Sequence, residues 1–138
     1  MINETTIKAR YSETDQMGII YHANYFSWFE IGRTEFLRSL GMEYKELENK
    51  NVLLPVIDVG CKYKVAAKYD DAIIIKTKLD NIKGVKIKFF YEIVRKKDNK
   101  LLAEGYTQHA FVDKDLKPVN FRKNFKEAWS KLKEVNEN

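Results

Sequence analysis

Between Val85 and Val94 apolar and polar residues alternate, with Val85, Ile87, Phe89, Tyr91 and Ile93 on one face and Lys86, Lys88 and Glu92 on the other. A period of two is the mark of a strand with one face buried. The polar run Lys97-Asp98-Asn99-Lys100 predicts a hairpin turn, and Leu101 to Val112 a partner strand. On the other side, Ala72 to Leu79 predicts a strand that reaches Val85 through a turn at Lys83-Gly84. Thr5 to Tyr11 reads as a short strand, and Val52 to Val65 as a further one, interrupted by Pro55 and Gly60.

The period changes between His22 and Leu40. Tyr25, Phe29, Gly32, Phe36 and Leu40 recur at spacings of three or four, which predicts a helix. Phe26, Trp28 and Leu37 widen its stripe, so burial over much of the circumference is expected. Gly41 is a stop signal. A short helical segment follows near Tyr44 to Glu48. Beyond Lys117-Pro118, Phe125, Ala128, Trp129 and Leu132 predict a closing amphipathic helix. One long apolar helix and about five mostly antiparallel strands make an α+β class, with the sheet curled around the helix. An exposed edge strand in such a sheet favours dimerisation.

Composition narrows the function classes. With 138 residues the chain is most simply one domain, 1–138, able to enclose a core. A content of 44% hydrophobic and 33% charged residues argues against disorder. No window approaches the ~18 uncharged apolar residues of a membrane span. The N-terminus MINETTIKAR lacks a signal-peptide core, so a cytoplasmic location is expected. The single cysteine, Cys61, excludes an internal disulfide, and two distant histidines, His22 and His109, argue against a metal site. A net charge of +5 would suit an anionic partner, although lysine-rich faces are commonly plain solvated surface. No RNA-binding signature accompanies it, so nucleic acid is not expected.

The candidate chemistry lies in RYSETDQMGIIYHANYFSWFE, Arg10 to Glu30. Gly18 permits a sharp turn, and no Ser, Thr, Asp or Asn between it and His22 can cap the helix through its side chain. The first helical N–H groups are then free to hold an oxyanion or a polarised carbonyl. Asp15 is near enough to fold back beside them. An aspartate of ordinary pKa, ~3.9, is ionised at neutral pH and serves as nucleophile or general base. A thiol leaving group, pKa roughly 8.5, departs without a strong general acid. Such a pairing suits thioester cleavage, whereas an amide would need protonation at nitrogen. By itself, Asp and Gly before a helix is more often plain turn chemistry.

Tyr11, Asp15, Gly18, Tyr21, His22 and Tyr25 match the pattern of an aromatic followed by D-x-x-G-x-x-Y-H-x-x-Y. The segment resembles the signature of hot-dog-fold acyl-CoA thioesterases of the 4-hydroxybenzoyl-CoA thioesterase family, specifically the YbgC-like branch. AEGYTQHAFVD, Ala103 to Asp113, is similar to that family's last long strand, and Pro118 stands where it turns into its terminal helix. The resemblance implies a hot-dog fold and hydrolysis of short- or medium-chain or aromatic acyl-CoA. It implies Asp15 as the catalytic carboxylate, the His22 N–H as carbonyl donor, and Tyr11 and the His22 side chain as positioning groups. Gly18 would shape the loop, and Tyr25 would form pocket wall and position substrate. The family works without a metal or other cofactor, CoA being part of its substrate. Its site lies at a dimer interface, and dimers pair into tetramers. Acyl carrier protein is the alternative carrier. From another class, a non-enzymatic binder of acyl ligands or nucleic acid is the competing reading. His109 is expected to be a packed or interface residue, and no reactive thiol is expected at Cys61.

Overall fold

The computed structural model describes Met1 to Glu137. Five strands form one antiparallel sheet: β1 Asn3–Lys8, β2 Val56–Tyr63, β3 Ala72–Lys83, β4 Lys86–Arg95 and β5 Lys100–Ala110. Their order in the sheet is β1-β3-β4-β5-β2, which leaves β1 and β2 at the edges. The helices are α1 Asn24–Ser39, α2 Tyr44–Asn49, α3 Phe121–Asn124 and α4 Lys126–Glu137.

Alternation decides the register of the centre. Ile87, Phe89, Tyr91 and Ile93 are buried as expected, opposite Ile82, Leu79, Thr77 and Ile75 of β3. Val85 falls instead in the turn before β4 and is 36% exposed. A one-residue slip here would turn the whole apolar set to solvent.

Helix α1 lies across β3, β1 and β4. It buries one stripe, Tyr25, Trp28, Phe29, Gly32, Arg33, Phe36 and Leu37, at the three-four spacing of an amphipathic helix. Burial over most of the circumference is not found within the chain, because Phe26 and Ile31 stay exposed. Phe29 stacks on Tyr91 with ring centroids 4.5 Å apart. Phe36 meets Phe89 edge-on at 5.7 Å. Gly32 makes this approach geometrically feasible: a Cβ there would run into Thr77 Oγ1 and lie 2.7 Å from Ile75 Cγ2. This helix laid on a sheet of this order is the hot-dog arrangement.

Element ends differ from the periodicity where tertiary hydrogen bonds take over. Helix α1 starts at Asn24, two residues past His22, because His22 and Ala23 form a turn. The first strand stops at Lys8, and Tyr11 enters a 3-10 turn, Tyr11–Glu13. The closing helix is broken at Phe125, which has φ −136° between α3 and α4. Leu132 of α4 is buried, and Asn136 Nδ2 donates to Asp80 O at 3.2 Å, tying the helix to the far end of β3. No helix of the described residues is long and apolar enough to cross a membrane.

Candidate active site

The segment from Thr14 to Ile20 is a small closed hairpin. Asp15 N donates to Ile19 O at 2.8 Å, and Gly18 N returns to Asp15 O at 3.0 Å. Gly18 has φ +79° with open space around its Cα, so it is backbone conformation rather than room that asks for glycine. Ile20 N donates to Ala67 O at 2.9 Å, stitching the hairpin to the loop before β3.

Asp15 is half-buried, and its Oδ1 accepts from Met17 N at 2.8 Å. That Asx-turn fixes the carboxyl group while Oδ2 has no protein donor among the described residues. One oxygen is held and the other remains free to react.

The base of the loop is Glu13, 7% exposed. Its Oε1 accepts from Arg10 N at 2.8 Å and its Oε2 from Trp28 Nε1 at 3.0 Å. Its carbonyl takes Tyr21 N and Asn24 Nδ2, each at 2.8 Å. A buried carboxylate satisfied in this way is an anchor. Glu13 therefore clamps the hairpin to α1 and is not an acid partner for Asp15.

Helix α1 has no side-chain N-cap, as the sequence led one to expect. Its first donors are partly used, since Asn24 N, Tyr25 N and Phe26 N bond back to Tyr21, His22 and Ala23. The N–H groups of His22 and Ala23 have no protein acceptor among the described residues. The unpaired amides thus sit one step earlier than a helix starting at His22 would place them.

Asp15, His22 and Tyr25 come together in a cleft of about 250 Å³ with Ile19, Tyr63 and Lys64. Tyr25 is wall: it is buried, and its hydroxyl accepts from Ala67 N at 3.3 Å. Burial, foremost, raises its phenol pKa. Tyr63, on β2, donates to His22 O at 3.0 Å and braces the turn that carries the free amides. Nothing in the local sequence pointed to Tyr63, because its partner is 41 residues away. Tyr11 is not brought to this cleft; it is 76% exposed and packs edge-on against Tyr69 at 5.7 Å. Burial pushes the Cys61 thiol pKa up, which disfavours the reactive thiolate. His109 is fully buried in β5 as a packed residue.

The cleft is not the largest hollow; one of about 700 Å³ runs beside α3 and α4. The distinction of the cleft is its lining, which brings the Asp15 carboxylate together with the His22 turn. Among the described residues no three of His, Cys, Asp and Glu gather to hold a metal ion.

The thioesterase-like superfamily model matches residues 9–129. The chain is 39% identical to the putative acyl-CoA thioesterase YneP of Bacillus subtilis over 125 residues, 90% of each chain. It is 35% identical to the acyl-CoA thioesterase YbgC of Haemophilus influenzae, covering 92% of this chain and 93% of that one. Its fold superposes on a DHNA-CoA thioesterase from Staphylococcus aureus with a TM-score of 0.91 and 34% identity, over 99% of this chain and 93% of that one. A match spanning the hairpin, α1 and strands β2 to β5 places the chain in the thioesterase-like superfamily.

Proposed function

We propose that the Asp15 cleft hydrolyses acyl-CoA, with Asp15 attacking or activating water and the amides of His22 and Ala23 holding the carbonyl oxygen. The protein is an acyl-CoA thioesterase, releasing free acid and CoA. The observation that carries the residue assignment is the half-free carboxylate of Asp15 in one cleft with His22. As negative charge develops on the thioester oxygen, fixed N–H donors stabilise it without reorganising. The thiolate then leaves unaided. Gly18 sets the hairpin, Tyr25 walls the cleft, and Tyr63 steadies the His22 turn.

The protein works as a dimer built on β2. That strand pairs with β5 on one side only, and it exposes Val56, Ile57, Val59 and Tyr63 at 43–49%. An unpaired apolar edge is a template for a second copy. An aromatic acyl group is favoured by the relative at 34% identity, whose substrate is DHNA-CoA.

Thiol release measured over chain lengths and aryl thioesters, for wild type and Asp15→Asn, tests the reading. Asp15→Asn is expected to lower kcat at least about a hundredfold with the melting temperature held. Equal rates for the two proteins would remove Asp15 from the chemistry, and no thiol release by wild type would remove the activity.

A further inference from the structure

The positive charge of the chain is not spread evenly. Between Lys117 and Glu134 stand six cations and two acids, an excess of four in a chain whose total is +5. Four of these cations, Arg122, Lys123, Lys126 and Lys133, line the hollow of about 700 Å³ beside α3 and α4. None of the four is in an ion pair among the described residues. Like charges gathered in one concave place raise the local potential and draw anions.

The hollow also holds an aromatic ring. Lys126, Trp129, Ser130 and Lys133 follow one face of α4 at the three-four spacing, so a lysine stands about one turn to each side of the indole. Trp129 is half-buried, and neither another ring nor a cation is stacked on it among the described residues. Asn120, Arg122 and Trp129 also line a second hollow, of about 410 Å³, whose other walls are Gly84, Val85 and Pro118. Gly84 has open space where a side chain would stand, which leaves the β3–β4 turn bare. Asn120 Oδ1 accepts from Lys123 N at 3.0 Å, so its amide N–H groups are left for another acceptor. The smaller hollow is thus an apolar slot with a donor, and the larger one a set of cations.

That pair of environments fits a flat, acceptor-bearing ring joined to several negative charges. A bare anion would leave the apolar slot empty. A bilayer needs an apolar face to insert, and α4 spends its own on the core through Ala128 and Leu132. A single-stranded nucleic acid stacks base after base, whereas one indole serves one ring.

We propose that this groove is a nucleotide site, taking a purine nucleoside with two or more phosphates. The base lies on Trp129 in the smaller hollow with an acceptor edge towards Asn120, and the phosphates lie among Arg122, Lys123, Lys126 and Lys133. The same chemistry occurs in free nucleotides and at the end of CoA. Within one chain the groove is at the Lys83 end of β3, whereas the Asp15 hairpin is stitched to Ala67, ahead of the Ala72 end, roughly 35 Å away along the strand. That separation favours a free nucleotide bound apart from the chemistry.

Calorimetry with ATP, adenosine and tripolyphosphate tests the site with no thioester present, so the result does not depend on hydrolysis at Asp15. Wild type should bind ATP at least about tenfold tighter than either fragment. Trp129→Leu should weaken ATP about tenfold and leave tripolyphosphate unchanged. Lys126→Gln with Lys133→Gln should weaken ATP and tripolyphosphate together; this pair lies outside the core, so a fold lost in Trp129→Leu does not remove the test. No binding of ATP, or tripolyphosphate binding as tightly as ATP, overturns the proposal. The source is read by competition. ATP binding unchanged by saturating CoA assigns the site to a free nucleotide. Displacement by CoA, with a Trp129→Leu rise in KM for acyl-CoA but not for the matching acyl-pantetheine, assigns it to the nucleotide end of the substrate.

Discussion

Two polar centres rest against the same helix and treat their hydrogen bonds in opposite ways. At the N-terminal end of α1 the groups face an open cleft, and Asp15 keeps one oxygen uncommitted. Against its middle, His109, Thr107 and Tyr91 form a closed chain. Tyr91 Oη lies 2.5 Å from Thr107 Oγ1, which lies 2.8 Å from His109 Nε2, while His109 Nδ1 donates to Leu54 O at 3.0 Å. The carbonyl can only accept, so Nδ1 carries the proton and Nε2 accepts from Thr107. Tyr91 then donates to Thr107, and every member is satisfied. The first centre keeps bonding capacity for a substrate. The second uses its capacity to hold β4, β5 and the segment before β2 in one arrangement.

The strongest way to break that contrast is to protonate the closed chain. Burial first, and the charge of Arg33 second, lower His109 from 6.5 to about 4. The folded chain therefore binds fewer protons than the unfolded one between those values. This contribution to stability is complete above about pH 6.5 and is lost as pH falls towards 4, up to about 3 kcal/mol. Chemical denaturation from pH 7 to 4 should show this fall, and His109→Gln should flatten the wild-type-specific part. An identical pH dependence in both proteins would detach the effect from His109. Tyr91, pushed up to about 12 mainly by burial, stays a phenol throughout.

Next in size is the foundation of the open centre. Glu13→Ala leaves the buried Trp28 N–H and the Arg10 N–H without acceptors, an expected cost of about 2 kcal/mol. Urea titration should show it, together with a fall in kcat as the hairpin loosens. Gly18→Ala forces a side chain into φ +79° and should cost about 1 kcal/mol. Its mark would be a kcat loss larger than any change in melting temperature, because the strain sits in the hairpin itself. Smallest is Tyr11→Phe. With its ring on Tyr69, outside the cleft, kcat/KM should stay within about twofold of wild type. A larger loss would bring Tyr11 back into the site.

The hairpin and the strands were legible because their causes are local. The alternation of Ile87 to Ile93 and the stripe from Tyr25 to Phe36 each state which face is buried. The lack of a capping side chain before α1 can be counted along the chain. Glu13 and Asp15 are two acids that look alike in the sequence. Only the contact of Glu13 with the Trp28 indole, 15 residues on, made it an anchor. Tyr11 was drawn towards the site by a motif position, but the 3-10 turn directs it to Tyr69. The terminal helix was foreseen from Phe125 on, whereas the separate short helix before it, Phe121–Asn124, was not.

What the amino-acid order determined by itself is the set of elements, their buried faces, and the Asp15–Gly18–His22 spacing. Each follows from interactions within a few residues. The tertiary structure alone decided which carboxylate is free and which is held, that Tyr63 braces His22, and that His109 is buried in a closed hydrogen-bond chain. Those outcomes depend on contacts between residues far apart in sequence, where desolvation and hydrogen-bond satisfaction depend on which groups the fold brings together.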